Sequence, residues 1–133
     1  MSLIEELQKD ALRFQINIEK LAVSIYGEVP DIDIDDVLTT AFEGGSNYWI
    51  NEVKVVDGDY KGKGFASEVV SRGGELILVV DNENDITVNK YKMIDGFRRY
   101  QERYGKKFDM EQHDANDADN LLQLAVFGEL TFG

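Results

Sequence analysis

The chain has 133 residues, 43% of them apolar and 11% aromatic, and its formal net charge is −12. These figures suit one globular domain over 1–133 with its own core and argue against a wholly disordered chain, while the acidic balance disfavours direct binding to nucleic acid or anionic lipid. The absence of cysteine and the single histidine, His113, exclude disulfides, thiolate zinc sites, a cysteine nucleophile and a multi-histidine metal centre within one chain.

In chain order, the first expected element is a long N-terminal amphipathic helix over 1–27. Ser2 and Glu5 fit a capping box, and Gly27 followed by Pro30 supplies the stop. Ile4, Leu7, Ala11, Phe14, Ile18, Leu21 and Ile25 form an apolar stripe with a heptad period. The stripe would pack on the rest of the domain or, in the sharper reading, pair two copies into a homodimer through Leu7, Phe14, Ile18, Leu21 and Ile25. Glu5, Glu6 and Asp10, with no basic start, argue against a secretory signal. With the missing cysteines, they make a cytoplasmic location the expectation.

The body is expected over 31–133. Asp33 or Asp35 would cap a short helix with Val37, Leu38, Ala41 and Phe42 on its apolar face, stopped by Gly44-Gly45. Tyr48 to Val56 reads as a strand with Trp49, Val53 and Val55 on one side, followed by a loop at Asp57-Gly58, Gly62 and Gly64. Phe65 to Ser71 suggests a helical turn. Glu75 to Asp81 is the strongest strand; its run Leu76 to Val80 is too short to cross a membrane and reads as a central strand covered on both faces. Thr87 or Asn89 would cap a third helix to Tyr104, and Asp114 with Asp117 would open a last one ending at Gly128. Leu130 to Phe132 reads as a short terminal strand. The order predicts an α+β fold, a small sheet packed against helices.

Four segments resemble a family. Asp36 to Trp49 (DVLTTAFEGGSNYW), Ser71 to Leu78 (SRGGELIL), Met93 to Tyr100 (MIDGFRRY) and Asp114 to Gly133 with its FGELTFG ending are similar to small acidic proteins encoded by bacteriophages and prophages, which share EGG-x-x-YW, SRGG and FGE-x-x-FG segments. The resemblance spans about residues 31–133. It implies a bacterial host cell as the setting and no particular activity.

Charge is the most informative remaining feature. Residues 90–107 hold Lys90, Lys92, Arg98, Arg99, Arg103, Lys106 and Lys107 against Asp95 and Glu102, so half of the 14 basic residues fall on one aromatic-rich helix. That helix would balance acidic neighbours, or it would capture a small anionic, nucleotide-like ligand with Arg98, Arg99 and Arg103, aided by Tyr100, Tyr104 and Trp49. The acidic stretch Asp109, Glu111, Asp114, Asp117 and Asp119 would instead meet a host protein with a basic surface, as carboxylates standing in for DNA phosphates. Asp81 to Asp85 fails the calcium-loop pattern, because Ile86 and Lys92 stand where glycine and glutamate are required. No nucleophile-elbow, P-loop or dinucleotide motif is present. The expectation is therefore a non-enzymatic binding protein, with no metal, cofactor or assignable catalytic residue, and with an enzyme of unknown class as the alternative.

Overall fold

A computed structural model describes residues 26–56, 65–81 and 84–133. Helix α1 spans Asp31–Thr40 and starts directly after Pro30, whose carbonyl accepts from Asp33 N at 3.0 Å. No side chain caps it; Asp33, expected as a cap, lies within its first turn, where negative charge suits the helix dipole. Ile34, Val37 and Leu38 form its buried face. The helix then widens into a π turn over Ala41–Gly45, closed by Ser46 N donating to Ala41 O at 2.8 Å. Gly45 is needed there, because a Cβ would run into the backbone carbonyl of Ala115.

Three short antiparallel strands make a meander in the order β1-β2-β3: β1 Glu52–Val55, β2 Leu76–Val79 and β3 Asp85–Val88. The register aligns Val53 with Leu78 and Ile86, and Val55 with Leu76 and Val88, so these six share one face. Leu76, Leu78 and Val88 on that face are fully buried. Ile77 and Val79 point the other way and are half-buried. Thus β2 is central as expected, but among the described residues only one of its faces is fully covered. The expected strand 48–56 shrinks to its second half, and Trp49 lies before it in a turn. A 3-10 turn, Ala66–Glu68, precedes β2.

Helix α2, Lys90–Tyr104, is capped by Asn89, whose side chain accepts from Lys92 N at 3.0 Å, and it ends at left-handed Gly105. Helix α3, Ala115–Phe127, opens with a reciprocal capping box between Asp114 and Asp117, at 2.8 and 3.1 Å, and ends at left-handed Gly128. The two helices cross at Gly96, where an added Cβ would sit 2.6 Å from Cβ of Ala125. Met93, Ile94, Phe97 and Tyr100 on α2, and Ala118, Leu121, Leu122, Leu124 and Ala125 on α3, complete the core with α1 and the buried sheet face.

Among the described residues the fold is therefore α+β, three helices on a three-stranded antiparallel sheet, and the expected architecture is corrected at one point. The long N-terminal amphipathic helix is not part of the supported fold: residues 1–25, with Leu7, Phe14, Ile18, Leu21 and Ile25, lie outside the described ones. An apolar stripe states a helical period and does not by itself place a segment in a fold. The loop expected at 57–64 also lies outside the described residues. Leu130 to Phe132 is no strand; it is irregular and held by a side chain of α3.

Candidate functional site

The π turn delivers the chain into a tight turn at Ser46–Ile50, with Trp49 N and Ile50 N donating to Ser46 O at 3.1 and 2.9 Å. Three side chains of that turn converge on one carboxyl group of α3. Asp119 Oδ1 accepts from Ser46 Oγ at 2.8 Å and from Trp49 Nε1 at 2.7 Å. Asp119 Oδ2 accepts from Tyr48 OH at 2.6 Å and from Gln123 Nε2 at 3.0 Å. Asp119 is only 3% exposed, so it is a buried acceptor fully occupied by donors of the same chain. A carboxyl closed in this way positions its neighbours and leaves no side for a substrate.

Gln123, one helical turn on, extends the network. Its Oε1 accepts from the backbone amides of Thr131 and Phe132 at 2.8 Å each, and its Nε2 also donates to Phe132 O at 3.3 Å. The Phe132 ring stacks on Trp49 with centroids 5.3 Å apart and planes 9° apart, and Phe127 meets both rings at an angle. The EGGSNYW and FGELTFG segments are thus joined through Asp119 and Gln123. Tyr48 has an exposed ring but an inward hydroxyl. Burial of that hydroxyl, then its hydrogen bond to Asp119 and the charge there, push its pKa up to about 12 against a smaller opposing effect of Gln123.

Of the expected ligand-binding residues, Tyr100, Tyr104 and Arg103 are neighbours on one helix, while Trp49 stands apart from them. Trp49 contacts Asp119, Phe127 and Phe132, and Tyr100 is buried against Phe108 and Tyr104. Arg98 Nε and Arg99 Nε both donate to Asp95, at 2.8 and 2.6 Å, and Arg98 reaches Glu102 at 3.0 Å. The Arg99 guanidinium also lies against Gly128, at the negative end of α3. Arg103 lies 5.9 Å from the Tyr104 ring centroid. Lys90 pairs with Asp31 at 3.1 Å. A shallow groove of about 440 Å³ runs beside Arg98, Gln101 and Glu102. An apolar cleft of about 260 Å³ between α1, β1 and the 3-10 turn has the exposed Phe65 at its mouth.

Of the expected acidic surface, Asp109, Glu111 and Asp114 are exposed, and Asp117 is half-buried. Asp109 closes a local turn by accepting from Glu111 N at 2.9 Å and Gln112 N at 3.1 Å. Asp119 is corrected from this surface to the buried network, because its four donors take it inside. Among the described residues no group of three histidine or acidic side chains is placed to hold a metal ion. Ser46 and Gln123 were not anticipated, and Asp95 entered only as a charge against the basic residues of its helix. The available signal was Asp119 and Gln123, four apart on one helix face, among the apolar residues Ala118, Leu121, Leu122, Leu124 and Ala125. Comparison with known family models, curated proteins and solved structures finds no match to this chain.

Proposed function

We propose that the protein is a non-enzymatic binding protein that meets a partner with a basic surface through exposed carboxylates, centred on Asp109, Glu111 and Asp114. One observation supports this over capture of a small anion: Arg98 and Arg99 both donate Nε to Asp95. A ligand gripped by both Nε groups would have to break those ion pairs, whereas the carboxylates at 109–114 are already presented to solvent. Charge-complementary contacts of this kind steer encounter and weaken with salt. The resemblance to phage and prophage proteins makes a host protein the partner to look for, in the bacterial cytoplasm.

The test uses Asp109→Asn, Glu111→Gln and Asp114→Asn together. Asparagine closes the same local turn and caps a helix as well as aspartate, so the charges go and the fold stays. The protein, immobilised and offered bacterial lysate, should retain a basic protein at low salt, release it as salt rises, and lose it in the triple variant. Equal retention by the variant across the salt range would refute this surface.

A further inference from the structure

Segment 129–133 is held as a peptide ligand is held. Gln123 is fully buried, and its amide reads the segment's backbone through two accepted N–H groups and one donated N–H. The only ring the segment brings to the slot is Phe132, flat on Trp49 and edge-on to Phe127 at 5.7 Å. These contacts specify a bent backbone that turns two successive N–H groups to one acceptor and carries an aromatic side chain, whichever chain supplies it, as in other peptide sites where main-chain bonds give affinity and one pocket gives specificity.

The slot is built on rigid parts. Gln123 sits on α3, and Trp49 is fixed by its own bond to Asp119, so the receptor does not depend on its occupant for shape. The occupant has the opposite character. Residues 131–133 are exposed and irregular, and they join α3 through Gly128 at φ +76°. We propose that this slot is a peptide-binding site, occupied in cis by segment 129–133 and open by exchange to a peptide that presents two successive backbone N–H groups to Gln123 and an aromatic side chain to Trp49. A covalently attached occupant competes at an effective concentration on the order of millimolar, so the exchange needs a peptide at that level or a weakened occupant.

The test uses the full chain with Phe132→Ala, which empties the aromatic position and leaves Gln123 and Trp49 in place. The probe is acetylated, amidated Glu-Leu-Thr-Phe-Gly, and the reporter is Trp49, the one tryptophan. The expected result is a saturable change in Trp49 emission and a raised melting temperature at millimolar peptide, with neither from Glu-Leu-Thr-Ala-Gly. A folded variant that gives no saturable change, or responds equally to both peptides, overturns the proposal. If that variant does not fold, amide exchange in the unaltered protein decides. The Thr131 and Phe132 amides should exchange at least about tenfold faster than those of Leu121–Ala125, through opening of the segment alone. Exchange of both sets at one common rate means that the segment leaves only when the protein unfolds, and the proposal fails.

Discussion

Replacing Asp119 by asparagine preserves size and shape but removes one of the two acceptor oxygens. Each oxygen serves two donors: Ser46 and Trp49 at Oδ1, Tyr48 and Gln123 at Oδ2. The best orientation of the new amide keeps its oxygen toward Ser46 and Trp49, which are buried, and turns its NH₂ toward Tyr48 and Gln123. The Tyr48 hydroxyl can rotate to accept. The Gln123 NH₂ cannot, so two N–H groups face each other. Hydrogen bonds to charged groups contribute about 1.5–3 kcal/mol each, and losing one outright while weakening another gives an expected loss of about 3 kcal/mol. Against a total stability of about 5–15 kcal/mol for a small domain, that is a large fraction. Urea unfolding followed by Trp49 emission reads it as a lowered midpoint at unchanged slope. The Trp49 emission of the folded variant should stay near that of the parent, because its own acceptor is retained. A loss below about 1 kcal/mol would refute the view that this carboxyl organises the turn at 46–50.

Three further outcomes follow from particular contacts. Gly96→Ala removes a helix penalty of about 1 kcal/mol but forces a Cβ to 2.6 Å from Ala125, so overpacking of about 1–3 kcal/mol should win and urea stability should fall; a rise would mean that the helices part at no cost. Asp114→Ala should cost about 1 kcal/mol and Asp114→Asn close to nothing in the same assay, since only the first loses the cap on Asp117 N; equal costs would contradict the capping role. Tyr48 deprotonates later when folded than at its ordinary pKa of 10.0, so its share of stability is intact below pH 10 and is lost as pH rises toward about 12. The stability of the parent should therefore fall more steeply than that of Tyr48→Phe between pH 10 and 12; parallel curves would show that the hydroxyl is not held by Asp119.

Local signals were legible in the chain. Asn89, the Asp114–Asp117 pair, Gly105 and Gly128 act within three or four residues of themselves, so the bounds of α2 and the start and end of α3 could be read directly. The apolar run Leu76 to Val80 marked β2 for the same reason. Strand β3 could not be read, because Asp85–Val88 has only two apolar residues and exists through pairing with β2. The turn around Trp49 was hidden for a longer-range reason: the acceptor that draws in Ser46, Tyr48 and Trp49 lies 70 to 73 positions away. The role of Asp119 was lost with it, since an aspartate among other acids reads as surface until its donors are known. The basic helix left two readings open, charge balance and a ligand grip, and Asp95 within the same helix accepts from two of its arginines.

The most direct test of the central claim is native mass spectrometry of the full chain recovered gently from bacterial cells at low salt. The expected result is a retained basic protein that dissociates as salt is raised and is missing from the Asp109→Asn, Glu111→Gln, Asp114→Asn variant. A retained mass of small-molecule size, lost in Arg99→Ala and indifferent to that triple variant, would contradict it and return the function to the basic helix.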